Sequence, residues 1–311
     1  MILITELSQL KQPLPGSVVT LGNFDGIHLG HQELIRMIIR RAQETGALSV
    51  VVTFRPHPLK ILAPEKCPPL ISIYEEKIRL IEQLGVDVLV KIPFSREFSS
   101  MSSRDFAQKI LHDLLQAREI FVGYNYRFGR GREGTVQTLR HYGEEFGFLV
   151  NEVGQISLNG EEVSSSRVRA LLAAGDVEHA GRLLGRPYAI TGVVVKGDGR
   201  GKTIGHPTAN IAAKHEIIPA NGVYAVKVLV RERLYDGVVN IGVRPTFETG
   251  RRTIEAFIFD FNEDVYGEEM TVSFYGKIRE EVKFADASQL RERIGQDIRE
   301  ARTILSLPFQ L

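Results

Sequence analysis

Residues 18–42 constrain the fold more than any other stretch, because an apolar run, a glycine turn and an amphipathic pattern follow one another without a break. Val18-Val19-Thr20-Leu21 reads as a buried strand, and the segment from His31 to Ala42 places Leu34, Ile35, Ile38 and Ala42 on one helical face. Between them, Gly22-Asn23-Phe24-Asp25-Gly26-Ile27-His28-Leu29-Gly30-His31 holds three glycines and two histidines. Glycine lets backbone approach a phosphate closely, and the free N–H groups of a helix start attract its charge. With His28 and His31 as imidazole donors beside it, the segment reads as an ATP-handling turn.

The strand and helix signals continue to alternate: Leu48 to Phe54, a helix from Tyr74 to Leu84, Val86 to Lys91, a helix from Ser103 to Leu115, then Glu119 to Gly123. That alternation implies a Rossmann-like parallel α/β sheet. A last helix is expected from Ser166 to Leu184, interrupted near Gly175. Beyond Gly185-Arg186-Pro187 the texture changes to short β-rich runs (Ala189 to Val195, Val223 to Val230, Leu234 to Val239, Thr253 to Phe261, Met270 to Ile278) separated by glycine turns. This half reads as an antiparallel barrel or sandwich. A closing helix follows, with Asp286 and Gln289 as a capping box and Leu290, Ile294, Ile298 and Ile304 on one stripe. Two domains are therefore expected, 1–186 and 187–311, consistent with the 311-residue length.

Charge excludes a general attraction to polyanions: 39 basic and 38 acidic residues leave a net charge of +1. Any phosphate binding must be local, and neither nucleic acid nor a membrane surface is an expected partner. One cysteine, Cys67, excludes an internal disulfide framework and agrees with a cytoplasmic location. Self-association is left open.

Two glycine-rich segments imitate nucleotide motifs. Gly197-Asp198-Gly199-Arg200-Gly201-Lys202-Thr203 leaves three residues between its outer glycines where a P-loop needs four, and Pro207 falls where the P-loop helix should start. A phosphate loop of another kind stays open. Gly129-Arg130-Gly131-Arg132-Glu133-Gly134 matches G-x-G-x-x-G but does not follow the first strand. With Arg127, its arginines either meet phosphates or solvate a loop. Ser164-Ser165-Ser166-Arg167-Val168-Arg169 opens a helix, where it can clamp a polyphosphate or cap the helix through Ser165 or Ser166. Thr208 and Asn210, two apart in an extended segment, converge two neutral oxygens of the kind that hold Mg²⁺ on a nucleotide. Glu255, flanked by apolar residues, suits a general base or is an exposed strand glutamate.

Taken in order, these segments resemble the bacterial bifunctional riboflavin kinase/FAD synthetase family over essentially the whole chain. GNFDGIHLGH (22–31) and SSSRVR (164–169) resemble the two signatures of its adenylyltransferase half, with FRPHP (54–58) and GYNYRFG (123–129) between them. IGHPTANI (204–211), PANGVYAV (219–226), NIGVRPTF (240–247), IEAFIFDF (254–261) and KIREEVKF (277–284) resemble consecutive riboflavin kinase segments. Three departures stand out: His206 where Phe is common, Ser166 where Thr is usual, and Asn125 where some relatives carry Asp.

The resemblance implies two phosphate transfers, from riboflavin to FMN and from FMN to FAD, each using ATP. In the kinase half it implies Glu255 as base, Thr208 and Asn210 on Mg²⁺, ATP contacts from Gly197, Lys202 and Gly205, and flavin contacts from Arg244, Thr246 and Arg279. In the other half it implies His28, His31 and Arg167 as charge-neutralising groups and ATP contacts from Gly22, Asn23, Phe24, Gly26, Ser164 and Ser165. Phe54, Asn125 and Phe128 are its flavin contacts. The alternatives are a nucleotidyltransferase of another phosphorylated acceptor with a C-terminal binding barrel, and a barrel that binds nucleic acid. The neutral charge and the Thr-x-Asn pair disfavour the last.

Overall fold

The valine-rich run 48–55 is almost wholly buried, as a central strand covered on both faces must be. In the computed structural model, which describes residues 1–197, 207–243, 252–282, 284 and 286–309, this run is β3 (Leu48–Arg55) of a parallel sheet. Its other strands are β1 (Ile2–Ile4), β2 (Ser17–Leu21), β4 (Val88–Pro93), β5 (Ala117–Gly123) and β6 (Leu149–Val153), in the order β1-β4-β3-β2-β5-β6. Alternate residues feed two cores. Val19, Leu21, Val50, Val52 and Val90 pack with Phe106, Ala107 and Leu111. Val18, Val51 and Leu89 pack with Ile35 and Ile38 of the helix Leu29–Thr45 and Ile81 of the helix Tyr74–Gln83.

From β2 the chain winds outward through β3 and β4, then crosses to the other side of β2 for β5 and β6. Strand order therefore reverses between β2 and β5, and the crevice beyond their carboxyl ends is where open α/β sheets bind ligands. Residues 22–28 and 124–135 follow those two strands. A two-residue hairpin, β7 (Ser157–Leu158) and β8 (Glu161–Glu162), turns on Asn159 and Gly160, both at positive φ. The expected helix Ser103–Leu115 is one α-turn, Ser103–Asp105, running into a π-helix, Phe106–Leu114. The buried Phe106, Ile110 and Leu111 and the buried C-cap Leu115 lie four to five positions apart, and the wider π turn keeps them on one face.

The chain divides into two compact units, Met1–Val163 and Ser164–Leu311. The second opens with the helices Ser165–Ala174 and Val177–Leu184, broken at Gly175, which has φ +81°. A Cβ on Gly175 would stand 2.7 Å from the Tyr224 hydroxyl, and the Ala220 N–H donates to the Leu172 carbonyl at 3.2 Å. By packing, this helical pair belongs with the barrel, so the division between the compact units falls upstream of residues 186/187. Its strands are β9 (Tyr188–Val195), β10 (Ala209–Ala213), β11 (Gly222–Val230), β12 (Arg233–Val243), β13 (Arg252–Ile258) and β14 (Glu269–Arg279). All pairs are antiparallel, and the barrel closes as β10-β13-β12-β11-β14-β9. The alternative of an open sandwich is thereby decided in favour of the barrel.

Tyr224, Val226, Val228, Ile241, Ile254, Ala256 and Phe274 are buried, while Val223, Ala225 and Val238 pack under Ala301 and Leu305 of the closing helix Ala287–Ser306. Asp286 caps that helix through the N–H groups of Ser288 and Gln289 at 2.8 and 2.9 Å. A buried carboxylate, Asp297, fixes it to the barrel: Arg279 donates to both its oxygens at 2.8–3.1 Å, and Arg293 Nε lies 3.0 Å from one of them. Among the described residues no helix is long and apolar enough to cross a membrane. Removing one partner of a buried ion pair strands the other charge. Asp297→Ala should therefore destabilise the barrel unit by about 3–5 kcal/mol, read as a drop in its urea or thermal midpoint.

Candidate functional site

The segment after β2 leaves the sheet under strain and is held by its neighbours. Gly22 N–H still pairs with the Val52 carbonyl at 3.1 Å. Phe24 and Ile27 then take φ of 48° and 43°, a region costly for residues with a Cβ, and both are buried. Gly26, at φ +85°, sits so close to Ile71 that a Cβ would come within 3.0 Å of it. Asp25 turns inward, and its carboxylate accepts from the N–H groups of Ile71 at 3.0 and 3.1 Å and of Ser72 at 3.3 Å. The Asn23 carbonyl accepts from Lys77 Nζ at 2.7 Å and Thr53 Oγ1 at 3.3 Å. Burial pushes the Lys77 ammonium down to about 8, with the nearby Asp25 carboxylate pulling the other way.

His28 is the N-cap of the helix Leu29–Thr45: its Nδ1 accepts the His31 N–H at 3.3 Å. That bond assigns the proton of a neutral His28 to Nε2, which makes Nε2 the donor. The two imidazoles stack with centroids 3.6 Å apart, and Phe24 meets His31 edge-on at 5.2 Å. The Asn23 side chain lies 2.9 Å from His57 Nε2, just beyond β3. Gly22, Asn23, Phe24, Gly26, His28 and His31 are thus brought together at the carboxyl end of β2.

Phe54 and Phe128 stand at two points of one aromatic string. Phe54 contacts Phe98 at 6.3 Å, Phe98 contacts Phe106 at 6.3 Å, and Phe106 contacts Phe128 at 5.8 Å, with Tyr126 stacked on Phe128. Asn125 is exposed on the loop after β5. Gly129 and Gly134 in the neighbouring segment are packing positions: a Cβ would meet Ser103 backbone or the Phe128 ring at 2.6 Å. In the second unit Ser164, rather than Ser165 or Ser166, caps its helix, accepting the Arg167 N–H at 3.3 Å. Ser165 occupies the first helical position and Arg167 is exposed on the first turn.

A second cluster forms on the barrel wall. Asn210 of β10 pairs in register with Glu255 of β13, which also faces Asn240 of β12. Directly opposed residues share a face, and the flanking Ile254 and Ala256 are buried, so the three polar side chains share the other face. Gly197 packs against the Asn210 amide, where a Cβ would stand 2.1 Å from its nitrogen. Thr208 immediately precedes β10 and is half-buried. Arg279 spends its fork on Asp297 and donates through Nη1 to the Glu280 carbonyl at 3.0 Å, so it orders the end of the barrel and the closing helix. Lys202, Gly205, His206, Arg244 and Thr246 lie outside the described residues.

Three positioned residues, Asp25, Lys77 and Asn240, were not singled out by spacing. A signal for Lys77 existed: it falls four residues before Ile81, on the buried face of its helix.

The chain thus carries a strained glycine turn at the switch point of a parallel sheet and an Asn–Glu pair on the wall of a closed barrel. The FAD synthetase family model matches residues 10–167 and the riboflavin kinase model residues 184–305. The bifunctional riboflavin kinase/FMN adenylyltransferase of Escherichia coli K12 is 37% identical over 99% of this chain and 99% of its own, and that of Bacillus subtilis 168 is 40% identical over 94% and 93%. A solved structure described as a macrolide-efflux protein from Streptococcus pneumoniae is 35% identical, with a TM-score of 0.86 over 97% of this chain and 98% of that one. The chain belongs to the bifunctional riboflavin kinase/FMN adenylyltransferase family. Riboflavin, FMN and ATP as substrates and FAD as product follow from those two activities.

Gly26→Ala combines a disfavoured φ with a clash at Ile71. It should lower FMN adenylylation roughly 10- to 100-fold, the scale expected when a positioned group moves by about an ångström. Riboflavin phosphorylation by the same preparation should stay unchanged, and paired rate measurements check both.

Proposed function

We propose that the two reactions are divided along the chain, with residues 187–311 phosphorylating riboflavin and residues 1–186, including the Ser164–Arg169 signature, adenylylating FMN. The observation that carries the kinase assignment is the register of Asn210 with Glu255, which sets a carboxylate beside a neutral oxygen donor. The 5′-hydroxyl of riboflavin attacks the γ-phosphate of ATP, forming the new O–P bond as the bond to ADP breaks. Glu255 takes the hydroxyl proton. The hard oxygens of Thr208 and Asn210, with Gly197 closing on the amide, suit Mg²⁺. Bound there, Mg²⁺ would neutralise charge on the nucleotide phosphates. Gly197, Lys202 and Gly205 serve ATP, while Arg244 and Thr246 serve the flavin.

In adenylylation the FMN phosphate attacks the α-phosphate of ATP and pyrophosphate leaves. The attacking oxygen is already anionic, so positioning and charge stabilisation supply the catalysis. His28, His31 and Arg167 neutralise the triphosphate, Ser164 and Ser165 cradle its outer phosphates, and Phe54, Asn125 and Phe128 hold the flavin. Both reactions are assigned to the cytoplasm, with small molecules as the partners and no nucleic acid or membrane.

Glu255→Gln keeps shape but removes the basic oxygen. Riboflavin phosphorylation should fall roughly 10²- to 10⁴-fold while adenylylation of supplied FMN is unchanged. His31→Ala should do the reverse, cutting FAD formation by about 10²-fold with FMN formation intact. Rates from riboflavin and from FMN, measured side by side, test both; equal losses in the two reactions would overturn the division.

A further inference from the structure

Lys77 is a buried ammonium that neither reaction uses directly. It rises from the first turns of the helix Tyr74–Gln83 and ends 2.7 Å from the Asn23 carbonyl, in the turn read above as the ATP loop. A peptide's C=O and the following N–H point in opposite directions, so drawing the Asn23 carbonyl inward turns the Phe24 N–H the other way. A charge-assisted bond to the carbonyl also polarises that peptide, making its N–H a stronger donor. Resting on the reading of this loop as the ATP site, we propose that Lys77 is a positioning residue for adenylyl transfer. Its ammonium holds the Gly22–His28 turn in the shape that accepts nucleotide phosphates and places a positive charge beneath them.

The groups around Lys77 agree with this role. Asp25, the acid nearest in the loop, has both oxygens engaged by the Ile71 and Ser72 amides. Tyr74 presents its ring 5.4 Å from Lys77 Nζ, and the same ring carries Arg55 of β3 at 4.5 Å and Lys91 of β4 at 5.6 Å. Burial drives the Tyr74 phenol upward, out of the range where it would titrate with the lysine. His57 reaches the loop through the Asn23 side chain, and Cys67 Sγ lies 3.6 Å from His57 Nδ1. A cysteine ordinarily titrates near 8.5, so a test by pH is best done with Cys67→Ser.

The sign is fixed by the direction of the shift. Lys77 keeps its charge below about 8 and loses it above, so adenylyl transfer should fall as pH rises through that value. In the unfolded chain a lysine holds its proton to about 10.4. Between these values the unfolded state binds more protons, and folding stability rises with pH. Activity falling while stability rises separates the effect from unfolding.

The experiment uses the full chain carrying Cys67→Ser, with Lys77 or Lys77→Met, and measures FMN adenylylation and riboflavin phosphorylation from about pH 6.5 to 9.5. With Lys77 the ratio of the two rates should drop at least about fivefold across pH 8. With Lys77→Met it should be at least about tenfold lower at neutral pH and flat, with KM for ATP raised and KM for FMN unchanged. A constant ratio with Lys77, or a methionine variant within about threefold, overturns the proposal. If Lys77→Met does not fold, the pH series with Lys77 decides alone. His28→Ala in the same assay tests the loop itself: intact adenylylation would overturn the ATP-loop reading, whereas loss with His28→Ala and none with Lys77→Met overturns the lysine's role only.

Discussion

The first unit depends on the carboxylate of Asp25. A turn that forces Phe24 and Ile27 into left-handed backbone costs about 1–2 kcal/mol at each, and a free peptide of this sequence would relax. The Asp25 bonds to the Ile71 and Ser72 amides are charge-assisted, worth about 1.5–3 kcal/mol each before the carboxylate's burial is charged against them. The phenyl and isoleucine side chains that the strain turns inward are almost fully buried and contribute about 1.5–3 kcal/mol apiece. Burial and directed hydrogen bonds together outweigh the strain. Shape at the carboxyl end of β2 is thus enforced from beneath, and the imidazoles of His28 and His31 inherit a fixed platform.

The barrel solves a different problem, keeping a carboxylate out of an apolar interior while surrounding it with strands. Strand pairing does this by parity: Ile254 and Ala256 face one way, Glu255 the other. A slip of one residue in β13 would bury the carboxylate and expose two apolar neighbours, so the hydrophobic pattern that closes the barrel also sets Glu255 opposite Asn210.

Much of this architecture was legible from local pattern. The apolar runs at 18–21 and 48–54 and the helical faces between them announce a parallel sheet, and the glycine-punctuated runs beyond 187 announce antiparallel strands. β10 escaped because Ala209-Asn210-Ile211-Ala212-Ala213 has little intrinsic strand preference; pairing with β9 and β13 makes it a strand. The helix Val136–Phe146 escaped because arginines and glycines surround its short apolar face. The motif residues of the candidate sites could be named in sequence, but their supports could not. Lys77 lies 54 positions from Asn23, and only the folded sheet brings the two together. Likewise the partner of Arg279 is a carboxylate on the closing helix, and no local spacing reveals that its fork is already engaged.

Gly175 carries an implication for how such chains can be recombined. Its missing side chain lets the helical pair 165–184 settle against Tyr224, and Leu172 is hydrogen-bonded to the segment before β11. A crossover at the compact boundary, after Val163, would hand the serine–arginine signature to the progeny along with the barrel, parting it from the histidines of its parental sequence. A crossover after Arg186 would keep signature and histidines together but set two helices against a foreign tyrosine. Chimeras made at either point would inherit a mismatch of a different kind, one between the two segments proposed to serve adenylylation and the other in packing. The compact unit Met1–Val163 and the stretch proposed to adenylylate FMN end at different points of the chain, and Gly175 lies in the segment between those ends.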